Sequence, residues 1–152
     1  MPSLSLHSPL GPLTIHEEGG SLIALDWCWS RESEETGLLA LAREQLTAYF
    51  DGRLRAFALP LAPAGTGFQH RVWAAMRDIP YGEVRSYGDL AKRLQSSPRA
   101  VGTACARNPL PIFIPCHRVV GAGGALTGYS GGDGLASKRF LLDHERAGAR
   151  AL

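Results

Sequence analysis

The sequence predicts an α+β chain, a small β-rich module carrying one helix followed by a helix-rich half. Three observations predict it. Apolar residues up to Trp27 fall in short extended runs around a glycine break. Between Gly37 and Phe50 the apolar spacing changes to a helical period. From Phe68 onward helical spacing recurs, punctuated by capping residues and Pro/Gly breaks.

The first module reads in order. Leu13 and Ile15, then Leu22, Ile23, Leu25 and Trp27, flank Glu18-Gly19-Gly20, a hairpin-like break between strands. Leu38, Leu41, Ala42, Leu46, Tyr49 and Phe50 share one face of a helix that Asp51-Gly52 stops. Phe57 to Leu61 is expected to add one more strand, and Pro63-Ala64-Gly65-Thr66-Gly67 to form a linker. The expected division is therefore residues 1–63 and residues 66–152. His7, His16 and Cys28 show no ligand spacing and read as scattered surface residues, so no metal site is expected.

In the second half, Phe68, Val72, Trp73, Met76 and Ile79 recur at helical spacing until Pro80-Tyr81-Gly82 breaks the helix. Ser86 followed by Asp89 has the form of a capping box, opening a helix that carries Leu90, Ala91 and Leu94 on one side. After the polar turn Gln95-Ser96-Ser97, Ser97 as N-cap and Pro98 at the first helical position start another helix, to about Arg107. Two short helices on a brief turn suit a helix-turn-helix, although spacing alone fits an ordinary helical hairpin equally well. The second helix offers Ala100, Gly102, Ala104 and Ala106 with Arg99 as the one long side chain at its start. A helix that reads bases in the major groove carries several long polar side chains. Small residues and one insertable arginine suit a protein that flips bases without reading sequence. Small residues also permit tight helix packing, and that alternative stays open here.

The segment Asn108 to Val120 concentrates the chemistry. The apolar run Ile112-Phe113-Ile114 has the length of a buried strand and ends at Pro115, followed by Cys116, His117 and Arg118. Pro115 pre-sets its φ angle and is expected to deliver the thiol rigidly at a strand end. A lone cysteine is more often a small buried hydrophobe than a nucleophile. The adjacent imidazole and guanidinium and the rigid proline favour the nucleophile. A glycine-rich loop, Gly121 to Gly134, follows; it lacks the G-x-x-x-x-G-K-S/T of a phosphate cradle, and Tyr129-Ser130 within it reads as a pocket wall. A last helix is expected from Leu135 to Arg146, with Glu145 on the face of Leu141 and Leu142. A carboxylate there needs a partner. His144 shares a face with Phe140 and Leu141, so helical position does not say which residue points inward.

Composition sets outer bounds. With 152 residues and 45% hydrophobic content the chain can bury a core in one domain or two small ones. A net charge of +2 leaves any nucleic-acid surface to local clustering, and Arg93, Arg99, Arg107 and Arg118 cluster around the thiol. Cys28, Cys105 and Cys116 are an odd set without C-x-x-C spacing, which argues against a disulfide framework or zinc finger. The start lacks a charged region followed by an apolar one, and no apolar run approaches a membrane span. A reduced, intracellular, soluble protein is expected, with no membrane association.

Ile114-Pro115-Cys116-His117-Arg118-Val119-Val120 resembles the active-site signature of the O6-alkylguanine-DNA alkyltransferases, the methylated-DNA–protein-cysteine methyltransferases. The likeness extends through Phe68-Gln69, Val72-Trp73, Ile79-Pro80-Tyr81-Gly82, Ser86-Tyr87, Arg99-Ala100-Val101-Gly102 and Asn108-Pro109. It continues through Gly128-Tyr129-Ser130-Gly131-Gly132 and Lys138, Leu141-Leu142 and Glu145, and more loosely through Gln45-Leu46 and Tyr49-Phe50-Asp51-Gly52. The turn before Arg99 is shorter than in many relatives, which bears on backbone contacts to DNA, and Asp133-Gly134 is an insertion that bears on the pocket wall.

The resemblance implies a ribonuclease H-like first module and a winged helix-turn-helix second domain. Cys116 would take the alkyl group from a flipped guanine, His117 deprotonating it through a water with Glu145 orienting the imidazole and Asn108 bracing the turns. Tyr87 would donate a proton to the leaving base. The base would be held by the carbonyls of Cys116 and Val119, the N–H of Ser130, and the surroundings of Tyr87, Tyr129 and Gly131. Arg99 would fill the gap in the duplex, with Tyr87, Gly88, Ala100, Gly102 and Ala122 against the DNA. The implied partner is double-stranded DNA carrying O6-alkylguanine, or O4-alkylthymine; the protein would be a cytoplasmic monomer (nuclear in a eukaryote), use no cofactor, and repair one lesion per molecule. A non-enzymatic lesion-binding protein is the first alternative, disfavoured because such relatives replace the cysteine. A cysteine hydrolase is the second, disfavoured because neighbours on an extended segment point apart.

Overall fold

The computed structural model describes residues 1–150. The chain divides into two compact units, the first ending at Ala64 and the second beginning at Gly65.

In the first unit three strands, β1 (Ser3–Ser8), β2 (Gly11–Glu18) and β3 (Ser21–Asp26), form an antiparallel sheet in chain order. The register sets Leu4 opposite Ile15, Leu6 opposite Leu13 and Ile15 opposite Leu25. These residues point to one face because side chains alternate along a strand. Helix α1 (Gly37–Phe50), capped by the Thr36 hydroxyl, packs on β1 and β2. Leu13, Ile15, Leu22, Leu39, Ala42, Leu46 and Tyr49 are fully buried, each large apolar side chain contributing about 1.5–3 kcal/mol.

Two expectations for this unit are corrected. The buried stripe of α1 passes through Leu39 rather than Leu38 and Leu41, and Leu41 is 42% exposed. Ala42, Leu46 and Tyr49 set the stripe, and Leu39 lies one turn before Ala42, whereas Leu41 is rotated off it by about 100°. Phe57 to Leu61 is not a strand: one isolated bridge joins Leu22 to Leu61. Leu22 N–H donates to Pro60 O and Ala62 N–H to Leu22 O, and Pro60, with no N–H, cannot extend the ladder.

The second unit begins with α2 (Gly67–Arg77), opened by a capping box in which Thr66 and Gln69 satisfy each other's backbone N–H. Thr66 and Gly67 therefore belong to this helix start and not to a linker. Trp73, 2% exposed, donates its indole N–H to Ala104 O at 2.9 Å and so ties α2 to a later helix. Strand β4 (Arg85–Ser86) leads into α3 (Tyr87–Leu94), where Ser86 and Asp89 form the expected capping box. Gln95 ends α3 in the left-handed region at φ 55°. Ser97 caps α4 (Pro98–Ala106), with Pro98 in its first turn. α3 and α4 pack on each other and on α2, giving the helix-turn-helix. Strand β5 (Val119–Val120) pairs in parallel with β4.

The last helix, α5 (Leu135–Arg150), runs past its expected end at Arg146. Gly148 is not a stop signal; a Cβ there would collide with the Tyr81 side chain, so the glycine permits close packing. Among the described residues no helix is long and apolar enough to cross a membrane.

Candidate active site

The reactive segment is built on turns. Asn108 Oδ1 accepts from Leu110 N–H and its Nδ2 donates to Ile114 O, both at 2.9 Å, while Ile114 N–H donates to Leu110 O. The loop so closed forces Ile112 to φ 74°, a left-handed conformation that a β-branched residue seldom adopts. Burial holds it there, since Ile112 and Ile114 are each 1% exposed and Phe113 5%. The strand expected at Ile112–Ile114 is thus a compact buried turn. Its apolar character reflects burial on all sides, and Pro109, Pro111 and Pro115 remove the donors a ladder would use.

At Pro115 (φ −79°, ψ 67°) the chain makes an inverse γ-turn, with Cys116 N–H donating to Ile114 O at 2.8 Å. Cys116–Arg118 then form a single 3-10 turn, so the thiol starts a helical turn and does not end a strand. No direct hydrogen bond joins Cys116 to His117 among the described residues; the imidazole turns to α5. Its Nε2 lies 2.8 Å from Glu145 Oε2. An ionised carboxylate only accepts, so Nε2 carries the proton and Nδ1 the lone pair. Nδ1 is buried and bonds no protein atom among the described residues.

Arg118 completes the cluster. Its Nε and Nη2 donate to the two oxygens of Glu145 at 2.8 and 2.9 Å, its Nη1 donates to Ile79 O at 2.7 Å, and its guanidinium lies 5.8 Å from the Tyr81 ring centroid. Burial pushes the Glu145 carboxyl up, but His117 and Arg118 outweigh it and hold the group well below the usual carboxylate range. Burial pulls the His117 imidazole down, against the pull of Glu145, so it is neutral at pH 7. Arg118, grouped in the sequence with Arg93, Arg99 and Arg107, is no surface cation: it is 7% exposed and committed to Glu145. Arg93 pairs with Asp78.

Burial also pushes the Cys116 thiol up, opposed by the side chains of Asn108 and Lys138 and, more weakly, Tyr129. Lys138 is wholly buried, and its Nζ donates to Val119 O and, at 2.7 Å, to Thr127 O. The Tyr87 ring centroid lies 5.7 Å from that ammonium. Tyr87 OH is 3.3 Å from Gly128 O, and burial, then the thiols of Cys105 and Cys116, push the phenol up to about 12.

Beside this cluster an open cavity of about 750 Å³ runs between α4 and the glycine loop, lined by Tyr87, Arg99, Gly102, Thr103, Tyr129 and Ser130 among others. Five of the residues expected to bind base or DNA, Tyr87, Arg99, Gly102, Tyr129 and Ser130, thus meet at one cavity, whose lining does not include Cys116. Gly88 and Ala100 lie in the first turns of α3 and α4, Ala122 in a short 3-10 turn after β5, and Gly131 in the loop before α5; none of these lines it. Among the described residues no group of three or more His, Cys, Asp or Glu is placed to hold a metal ion.

Residues 67–147 match the DNA-binding domain, and residues 4–63 the ribonuclease-like domain, of 6-O-methylguanine DNA methyltransferase. The chain belongs to the 6-O-methylguanine DNA methyltransferase family. Relatives in this methyltransferase family include the constitutive methylated-DNA–protein-cysteine methyltransferase of Bacillus subtilis, 48% identical over 91% of this chain and 92% of that protein. The Mycobacterium bovis methylated-DNA–protein-cysteine methyltransferase is 43% identical over 97% and 93%. In structure, the Mycobacterium tuberculosis OGT solved in complex with DNA matches with a TM-score of 0.88 at 43% identity, covering 99% of this chain and 96% of that one. A methyltransferase from Methanococcus jannaschii matches at 0.67 and 31%, covering 94% and 93%.

Two contacts around the thiol were not expected from the sequence, the two carbonyls that hold Lys138 and the clamp of Arg118 on Glu145. A signal for Lys138 exists: Lys138, Leu141, Leu142 and Glu145 fall on one stripe of α5, and a lysine on a buried stripe needs a reason. Arg118 has no such local signal, because its partner comes from a distant helix.

Proposed function

We propose that the protein repairs alkylated DNA by moving the alkyl group of a flipped O6-alkylguanine, or O4-alkylthymine, onto its own Cys116. The observation that carries this reading is the buried His117–Glu145–Arg118 cluster directly after the thiol, beside a cavity walled by α4 of a helix-turn-helix. The thiol proton passes through a water to His117 Nδ1, the nitrogen left unprotonated by the Glu145 contact. The thiolate lone pair forms the S–C bond, the C–O6 bond breaks, and its electron pair stays on the guanine. Tyr87, whose phenol is pushed up to about 12 by burial and then by the neighbouring thiols, stays protonated and is placed to donate a hydrogen bond to the departing base. Asn108 braces the turn that aims Cys116. Val119 and the walls at Tyr129, Ser130 and Gly131 hold the base, while Gly88, Ala100, Gly102 and Ala122 approach the DNA backbone.

The thioether has no leaving path, so each molecule acts once. Transfer followed against time with excess O6-methylguanine duplex is expected to show a burst equal to the protein concentration and then stop. A steady rate after the burst would mean turnover and overturn the stoichiometric reading in favour of a hydrolase.

Arg99 stands in the first turn of α4, at the cavity wall. Flipping a base costs a few kcal/mol. If Arg99 offsets about 1.4 kcal/mol of that, Arg99→Ala slows repair of duplex DNA about tenfold, with the melting temperature unchanged and repair of a single-stranded oligonucleotide hardly altered. Unchanged duplex repair would remove the finger role.

A further inference from the structure

The buried charges of the second unit do not balance. Among the described residues, Arg118, Lys138 and Glu145 are its buried charged side chains, each at or below 7% exposure. Glu145 is fully used by Arg118 on both oxygens and by His117 on one. His117, neutral beside it, brings no charge to the thiol. The ammonium of Lys138 is left with two carbonyl oxygens, those of Val119 and Thr127, and no carboxylate in ion-pair range among the described residues. A buried lysine without a counter-charge is costly, and its usual escape is to give up its proton.

We propose that Lys138 is the counter-ion of the Cys116 thiolate, the one buried cation whose partner is created only when the thiol ionises. The geometry supports this in two ways. The ammonium is pinned by Val119 O, on the strand that leaves the Cys116 turn, and by Thr127 O, on the loop that walls the cavity. It also sits 5.7 Å from the ring of Tyr87, the phenol that the Cys116 thiol itself acts on. Lys138 and Cys116 each favour the other's charged form, while burial opposes both. Lys138 thus acts as a positioning residue for charge: His117 removes the proton, and Lys138 holds the sulfur anionic until the alkyl carbon is in line. The other ionisable groups that act on Cys116 or Lys138 are Tyr87 from α3, Cys105 from α4, Tyr129 from the glycine loop, and His117 with its Arg118 and Glu145 partners. None of them supplies a free cation.

The proposal rests on Cys116 being the alkyl acceptor, and its test needs no DNA. Carbamidomethylation of Cys116 by iodoacetamide, read by peptide mass at a series of pH values, reports the thiolate fraction. Lys138→Met is expected to move the midpoint about one unit upward, a tenfold slower reaction at pH 7, with circular dichroism unchanged. A folded Lys138→Met with the wild-type profile would overturn the proposal. Coupling is reciprocal, so a second measurement stands even if Lys138→Met does not fold. In Cys116→Ala the Nζ resonance of Lys138, followed by 15N NMR, should titrate lower by the same amount, and an unmoved midpoint would equally overturn it. Loss of the burst on lesion DNA with both shifts intact would instead count against the repair reading alone.

Discussion

Cys116→Ala is expected to bind lesion DNA and transfer nothing. The substitution removes one sulfur atom from a side chain that is 8% exposed and sits at the start of a turn held by backbone bonds, Cys116 N–H to Ile114 O and Val119 N–H to Cys116 O. Alanine keeps both, and the loss of packing is small beside the Asn108 braces. The cavity walls at Tyr87, Arg99, Tyr129 and Ser130 are untouched. Affinity for an O6-methylguanine duplex should therefore stay within a few-fold of wild type, while intact-protein mass shows no added methyl group. Cys105 is buried against Met76 with its thiol pushed up to about 12, mainly by desolvation, so it does not substitute as acceptor. A methyl group found on the variant at any residue would defeat the assignment of Cys116.

The second large effect is expected from Glu145→Gln, which should slow transfer by about 10²–10⁴-fold, the usual worth of a positioned acid–base partner. The amide keeps the volume but reverses the logic of the cluster. Its NH2 can donate to His117 Nε2, which moves the imidazole proton to Nδ1 and leaves no lone pair to take the thiol proton. It also strips Arg118 of its anion, and an uncompensated buried charge is worth about 3–5 kcal/mol of lost stability. Glu145 in the wild type is held below its ordinary range, so its contribution is complete above the usual carboxylate pKa and fades only as pH falls through the lower folded value. The wild-type rate should accordingly show no dependence on Glu145 ionisation near neutrality. Single-turnover rates at a temperature where circular dichroism reports the variant folded decide the matter, and a wild-type rate there would dismiss the relay.

What the sequence made legible is local. Ser86 with Asp89, Ser97 with Pro98, and the stripe Leu90, Ala91 and Leu94 follow from capping and periodicity within a few residues, and all stand where expected. Features decided by distant partners were not legible. Ile112 adopts φ 74° because the Asn108 brackets close a loop around it, and nothing in an apolar tripeptide distinguishes that from a strand. Phe57 to Leu61 has a strand-like composition, yet Pro60 allows a single bridge. The helix end expected near Arg146 was passed, and Gly148 beyond it answers to Tyr81, far away in sequence. Within the site, the nucleophile and imidazole announce themselves by adjacency, whereas the clamp of Arg118 on Glu145 depends on how α5 docks.

That docking also has a consequence for how the protein is made. His117 and Glu145 are separated by 28 residues, and the ammonium of Lys138 also comes from α5. On the ribosome the thiol is therefore synthesised well before the groups that make it reactive, at a pace of about 5–20 residues per second. Until α5 arrives, Cys116 is an ordinary thiol with a neighbouring imidazole that lacks its carboxylate. If those groups set its reactivity, a protein that reacts only once is spared from being consumed as a nascent chain, because the acceptor comes into force only when α5 has docked.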